Sequence, residues 1–514
     1  MDIPRLPFTV LVLAPFHPVP DNFKPRVVSA DSIEQAMSEL GPSLYFPLPT
    51  DLCPAGGVSL QFESIDDFGP QAMIAKNEYL AGLNNALDYI DSAKDNSSPA
   101  EIVDGLKQWP GLPIDIAGAA EQGPSSGTAG KVDDILSMVS APSAPPSAGG
   151  GGSPEDWRNQ LEQILRQCLY NIVSDAGFRK HEAAWRGTDM LFKASGENVS
   201  LKLASVSMAS AATIIERLEE ELISGPPSLL LFDLPFDNST YAMEALEKIS
   251  ALSESLLTPS AAWFTEKFLN ISNWDELKKL SYLPNLLDGP EFAKWRKLRK
   301  SPAGEWLTML INRPLLRHAY DADNGGPPAR LREEDHLYMP PVYLLAALLA
   351  GRINETGWPG GLSGPGTSLL SGVPLREGAD GHLYPVETML SDDRASQFPD
   401  IGITPVIGAK NKDRAFVTRA ATSSGGSLEH QLFLARIISL VMWCHENFTA
   451  EWDIEVVRQE LEAALSKYFE KTGNPVPADL AVSASQDGQG IISISLTPDK
   501  LVDMPRRIEF SMSW

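Results

Sequence analysis

The chain has 514 residues, enough for more than one domain and a sizeable core. It carries 42 Lys+Arg against 67 Asp+Glu, a net charge of −25. That balance excludes non-specific binding to nucleic acid or to an anionic membrane, because both need a basic face to meet phosphate.

The acidic excess is uneven: residues 1–121 hold 17 Asp+Glu and 6 Lys+Arg. Cys53, Cys168 and Cys444 lie far apart without metal-type spacing, which suits buried thiols in a reducing compartment. The opening "MDIPRLPFTVLVLAPF" lacks the basic start and small-residue exit of a signal peptide. "YLLAALLAG" and "LARIISLVMW" are too short to span a bilayer. Cytoplasmic residence is the expectation.

In chain order, Phe8–Leu13 reads as a buried strand. "SADSIEQAMSELGP" reads as a helix with a serine or aspartate start and a Gly-Pro stop. "VSLQFESIDDFGP" is a strand running into a turn, and "AMIAKNEYLAGLNNALDYI" one amphipathic helix. Together these predict a small α+β unit over 1–121. Residues 122–153 are rich in Gly, Pro, Ser and Ala, which bury too little apolar surface to offset their ordering entropy. This reads as a tether between two folded parts, with a reach of roughly 30 Å. Inside it, Val132, Ile135, Leu136 and Val139 recur at helical spacing, a short amphipathic helix over 131–139. Either a weak packing segment or a recognition peptide fits it.

A larger unit is expected over 154–514. Ser153 and Pro154 make an N-cap and first-turn pair. Trp157, Leu161, Ile164, Leu165, Cys168, Leu169 and Ile172 then form one apolar face. "HEAAWRGTDML", from His181, reads as helix interior, where a glycine costs about 0.5–1 kcal/mol against alanine. "NVSLKLAS" alternates as a strand, "ASAATIIERLEEELI" is helical, "SLLLFDLPF" is a strand covered on both faces, and "YAMEALEKISALSESLL" is helical. This order predicts a partly parallel sheet with helices packed on it. Asp321–Gly381, rich in Gly and Pro, reads as long loops. "LEHQLFLARIISLVMWCHENF" and "DIEVVRQELEAALSKYFEKTG" are two further helices. Ile492, Ile494 and Leu496, then Ile508, Phe510, Met512 and Trp514, alternate as closing strands, and the last could donate itself to a neighbouring sheet edge. The fold class is α+β (mixed α/β).

No arrangement for catalysis emerges, and no cofactor or metal is expected. "GGLSGPG" has Pro365 where a nucleophile elbow needs glycine. Glu333, Glu334, Asp335 and His336 in "REEDHLY" read as a solvated loop, and His445 as packing at a helix edge.

Several stretches together resemble the two subunits of the contractile sheath of bacterial type VI secretion systems, joined in one chain. "FTVLVLAPF", "SADSIEQAMSEL" and "FESIDDFGP" resemble the small (TssB/VipA-type) subunit. From Trp157, "HEAAWRG", "SLLLFDLPF", "ALEKISALSESLLTPSAAWF", "WRKLRKSPAGEWLTMLINRPLLRHAY", "GWPGGLSGPG" and "YPVETMLSDDRASQFPDIGITPV" resemble the large (TssC/VipB-type) subunit in order. The resemblance implies a structural protomer, not an enzyme. It would polymerise with itself around an inner tube of the Hcp type and contract on a baseplate signal, without direct membrane insertion. In the large subunit a short N-terminal helix is bound by a ClpV-type AAA+ ATPase. Here 131–139 stands in its place, the extension is shortened, and the family's interlacing strand is not apparent. The family's W-R-G sits where a helix ends against the next layer. That implies a core anchor in Trp185, a glycine relieving crowding at Gly187, and Arg186 free to bridge to a carboxylate. His318-Ala319 stands where the family has an apolar residue and proline. Arg296, Lys297, Arg299, Lys300, Arg313 and Arg317 form the densest basic stretch and, with Trp185, Arg186, Gly187 and Trp514, are the candidate assembly residues. The helix near Glu451–Glu470 is a candidate tube-facing surface. A non-contractile scaffold or adaptor, and an enzyme with an unrecognised site, remain the alternatives.

Overall fold

A computed structural model describes residues 6–18, 26–114, 153–321, 323–324, 330–363, 368–378, 380–448, 453–485, 490–498, 501–502 and 505–514. The tether and its candidate helix (Val132, Ile135, Leu136, Val139) lie outside these residues. The first part contributes β1 (Phe8–Ala14), β2 (Val28–Ala30), α1 (Ile33–Leu40), β3 (Ser43–Pro47), β4 (Gly57–Gln61), α2 (Pro70–Lys76), α3 (Glu78–Ala93) and α4 (Pro99–Leu106). Then come α5 (Pro154–Val173), α6 (Ala176–Ser195), β5 (Val199–Ser205), α7 (Ala211–Ile223), β6 (Leu229–Phe236), α8 (Thr240–Ser255), β7 (Ser260–Phe264), α9 (Leu283–Leu286), α10 (Ala293–Lys300), β8 (Leu307–Ile311), β9 (Leu315–Arg317) and β10 (Leu337–Tyr338). The chain continues through α11 (Pro341–Thr356), β11 (Leu370–Ser371), β12 (Arg376–Glu377), β13 (Leu383–Tyr384), α12 (Asp392–Asp400), β14 (Ile403–Gly408) and β15 (Arg414–Val417). It closes with α13 (Leu428–Asn447), α14 (Ile454–Lys471), β16 (Ala481–Ser485), β17 (Ile491–Leu496) and β18 (Ile508–Ser513).

β1 decides the architecture. Its FTVLVLA is apolar on both faces, so it needs a neighbour along each edge and a layer above and below. It finds them in the second part. Phe8–Ala14 pair in parallel with Val199–Ser205 of β5, and Val10–Leu13 with Leu229–Phe232 of β6. The nine-stranded sheet runs β11-β15-β14-β8-β7-β6-β1-β5-β2. Val10 and Val12 enter the core on one face with α3, α5, α6 and α11; Leu11 and Leu13 enter the core on the other with α7 and α8. The small α+β unit expected over 1–121 shares its leading strand with the second part. The first part owns the β3–β4 hairpin and α1–α4, but its leading strand completes a sheet that the second part cannot close alone.

The local rules account for most helix ends. Ser32 caps α1 by accepting from the Gln35 amide, and Gly41 ends it at φ 57°. Ser153 and Asp156 form a capping box on α5, with Pro154 in the first turn. The single helix expected over "AMIAKNEYLAGLNNALDYI" is two, because Asn77 leaves helical geometry (φ −107°, ψ 122°) and caps α3. Asp321–Gly381 is not all loop. α11 lies inside it with Pro341–Ala350 buried, and a helix apolar all round shows no stripe to read. A third core joins α13, α14 and β16–β18; Trp358 stacks on Phe433 (4.8 Å) and on Phe469 (5.1 Å) there.

A chain cut at a protease site engineered within 122–153 is expected to elute as one particle in gel filtration, held by the β1 ladders. Separation of the two pieces would refute the shared sheet. Leu11→Ala is expected to lower stability by about 2–5 kcal/mol, read from urea unfolding.

Candidate functional site

β1 and β5–β8 run parallel, so their carboxyl ends emerge on one side. The chain lays down β1, adds β5 on one side, then β6 and β7 on the other. That reversal is the switch point at which open α/β sheets leave a crevice. A crevice of about 800 Å³ opens there, lined among others by Pro15 after β1, Ser207 after β5, Asp233 of β6, Trp263 of β7 and Arg313 after β8. Asp233 is 4% exposed. It accepts from Trp263 Nε1 (3.2 Å) and from the Tyr343 hydroxyl of α11 (3.0 Å). Burial pushes its pKa up to about 7, against the lowering pull of those two donors and of Arg313 and Lys180. Arg313 donates to Glu387 (2.7 Å), and its guanidinium stands 5.6 Å from the ring centroids of both Trp263 and Tyr338. The crevice thus sets a carboxyl whose charged form burial disfavours near the Arg313 guanidinium. Its Ser207 hydroxyl faces Ser210 at 2.9 Å. Among the described residues no group of three or more His, Cys, Asp or Glu is placed to hold a metal.

Beside the crevice lies a charged lock. Glu182 is fully buried on α6 and takes Arg317 in a two-pronged contact, 2.8 Å on each oxygen, together with Arg186 at 2.9 Å. Glu333 takes Arg317 at 2.6 Å and also Arg179. Three guanidiniums thus share two carboxylates, and the Tyr320 ring lies 4.3 Å from the Arg317 guanidinium. Removing one partner from such a buried pair typically costs about 3–5 kcal/mol. The "REEDHLY" reading as a wholly solvated loop is corrected on this point. The Glu333 side chain is 1% exposed, and His336 Nδ1 accepts from the Ala319 amide at 3.0 Å.

The W-R-G stretch lies mid-helix, since α6 runs on to Ser195. Trp185 is fully buried and donates to the Phe16 carbonyl (3.2 Å), tying α6 to the first part. Gly187 permits close approach to α11: a Cβ there would lie 2.6 Å from Tyr343 Cδ2. Arg186 does bridge to a carboxylate, on its own helix. Most of the basic stretch is used within the chain. Arg296 donates to the carbonyls of Leu287 and Gly289, and Arg299 to those of Ser423 and Asp400. Lys297 pairs with Glu247 on the surface, and Lys300 is exposed. Trp514 packs on His445 (5.0 Å) and Phe448 (5.6 Å), while β18 pairs with β17 and forms one edge of the sheet β16-β17-β18.

Asp233 and Glu182 are absent from the sequence reading. Each had a signal: an aspartate inside the apolar run "LLLFDLPF", and a glutamate four residues before Arg186.

Residues 223–424 match the VipB family model, EvpB/VC_A0108, tail sheath N-terminal domain. The match starts at the last residue of α7 and stops before α13, so it spans β6–β8 and α11 and leaves the C-terminal sheet outside. The chain is 23% identical over 289 residues to "Type VI secretion system sheath protein TssC1" of Pseudomonas aeruginosa. That stretch is 50% of this chain, and it spans 58% of the relative's length. Among solved structures, the baseplate of the anti-feeding prophage aligns with a TM-score of 0.35 at 11% identity, covering 65% of this chain and 77% of that one. The contracted helical sheath of the same particle gives 0.33 at 11% identity, covering 64% and 78%. The sheath tail protein Lin1278 of Listeria innocua gives 0.31 at 12%, covering 59% of each chain. Likenesses at this level decide nothing about the chain's role.

Gly187→Ala is expected to destabilise the fold by about 1–3 kcal/mol through overpacking against Tyr343. That outweighs the helix gain of about 1 kcal/mol, and the thermal midpoint reads it. The Asp233 carboxyl has a folded pKa raised above its unfolded value of 3.8. Its contribution to stability is therefore full below about pH 4 and is lost as pH rises through about 7. Asp233→Asn is expected to remove that dependence, so the wild type should lose stability relative to the variant between pH 5 and 8 in parallel urea titrations.

Proposed function

We propose that the chain is a protomer of a contractile tail sheath of the type VI secretion class. One observation carries this reading: the match of residues 223–424 to a tail sheath domain. Residues 154–514 serve as the large subunit and 1–121 as the small one, fused at fixed one-to-one ratio by 122–153. Copies stack helically around an inner tube protein in an extended state. A baseplate signal releases contraction, which drives the tube outward. The energy resides in the assembly, as in other packed lattices with two discrete arrangements, and the stroke uses no nucleotide. The rigidity supplied by the shared sheet and the Glu182–Arg317–Glu333 lock supports such a load-bearing role. Lys297, Lys300 and Trp514 are assembly candidates at the protein surface or a sheet edge. Segment 131–139 is the candidate docking helix for a recycling AAA+ ATPase. The chain resides in the cytoplasm, and its charge keeps free protomers apart and soluble. Among the described residues no helix is long and apolar enough to cross a membrane.

Negative-stain electron microscopy of the full-length chain, expressed alone, tests this. Hollow striated tubes are the expected result. Monomers alone, also in the presence of tube and baseplate proteins, would overturn it.

A further inference from the structure

A groove away from the sheet collects positive charge that the fold does not use. α5 presents Arg166, Gln167 and Tyr170 along one flank, and the loop from residue 330 runs beside it. Leu331 is fully buried and pins the loop, which leaves Arg330 and Arg332 exposed on either side of it. The Tyr170 hydroxyl donates to Glu334 (3.3 Å), tying helix to loop. The resulting groove, about 610 Å³, is lined by Arg166, Gln167, Tyr170, Arg330 and Arg332. Among the described residues none of these three guanidiniums makes an ion pair or a side-chain hydrogen bond. Their neighbours Arg179, Arg186 and Arg317 are all committed to Glu182 and Glu333. Arg330 also sits at φ 41°, in the left-handed region that favours glycine. With Glu334, bound by Tyr170, as a carboxylate beside them, the three guanidiniums still leave a local excess of positive charge, and in a chain of net charge −25 their gathering calls for an anionic partner.

We propose that this groove receives an acidic face of a second copy of the chain, and that the face is the outer side of α7. Its run from Glu216 to Glu221 holds four carboxylates and Arg217; Glu216 is paired with Lys248 (2.6 Å), which leaves Glu219, Glu220 and Glu221 as the acidic patch, with Glu220 and Glu221 exposed. The apolar face of α5 packs in the core on one side of the sheet, and that of α7 in the core on the other. Groove and acidic helix therefore lie on opposite faces of one protomer and meet only between copies. Such a contact is head-to-tail, so it propagates into a ring or filament instead of closing as a dimer. The inference rests on the proposal that the chain polymerises, and it names one contact that drives polymerisation.

The test compares sedimentation and electron microscopy of four full-length proteins at low salt: wild type, R166E/R330E/R332E, E219K/E220K/E221K, and all six changes in one chain. Circular dichroism and the thermal midpoint check the fold of each. Each triple variant is expected to lower the assembled fraction at least tenfold, and the six-fold variant to restore it. Wild-type assembly should also weaken steeply with added NaCl, as a screened contact must, a measurement that stands even where a variant misfolds. Salt-independent assembly, or tubes unchanged in the arginine triple variant, would overturn the contact and leave the sheath reading intact. Loss of assembly in both triples without rescue would overturn α7 as the partner. Wild type that never self-associates, with tube and baseplate proteins present as well, would overturn both proposals. Discrete rings that follow the expected pattern would support the contact and sink the sheath reading.

Discussion

The placing of one short strand organises the molecule. β1 is hydrogen-bonded along both edges and covered on both faces, and both edge partners come from beyond residue 153. A central parallel strand is among the hardest parts of a sheet to lose, because its removal leaves two unpaired edges and opens two cores. The first part is thereby committed to the second. Trp185 strengthens the commitment from the other layer by reaching the Phe16 carbonyl just after β1. The intervening segment needs no structure of its own to keep the parts together.

The charges follow a similar economy. An acidic chain would be expected to leave its arginines on the surface as solubilising pairs, each worth little. Here Arg317 and Glu182 are drawn into a lock whose carboxylates are almost wholly enclosed. It clamps α6 to β9 and to the loop before β10, beside the crevice at the strand ends. Asp233 holds the crevice floor by joining β6, β7 and α11 through Trp263 and Tyr343. Tyr343 can reach it because Gly187 lets α11 lie close on α6. Crevice, lock and helix packing are thus one connected piece of structure.

The third core stands somewhat apart. α13, α14 and β16–β18 share a core of their own, and they meet the rest through Leu428 and Leu432 of α13, through Glu429, which accepts from the Leu362 amide (2.7 Å), through Trp358, and through Leu6, whose carbonyl accepts from Arg436 (3.2 Å). Its sheet has two edges, β16 and β18.

Much was legible in the sequence alone. The strands of Phe8–Leu13, "SLLLFDLPF" and the closing serine-interleaved run, the cap at Ser153, and the buried face of α5 all follow from periodicity and local hydrogen bonding. These are short-range effects, set by residues within a turn or a strand of one another. For Gly187 the family resemblance implied relief of crowding at a helix end; the structure places it mid-helix against Tyr343. Other features could come only from the tertiary structure. That β1 is a central strand of a sheet whose other strands, β2 apart, begin at Val199 and beyond, that the REED loop buries Glu333, and that α11 is a helix are consequences of long-range pairing. A continuous apolar run reads alike whether it ends as a strand, a loop or a buried helix until its partners are known. Whether a charged residue is solvated or locked depends on charges 135 residues away, as Arg317 and Glu182 show. The sequence determined which segments must be buried; the tertiary structure decided against what, because that choice is made by non-local contacts that no local pattern encodes.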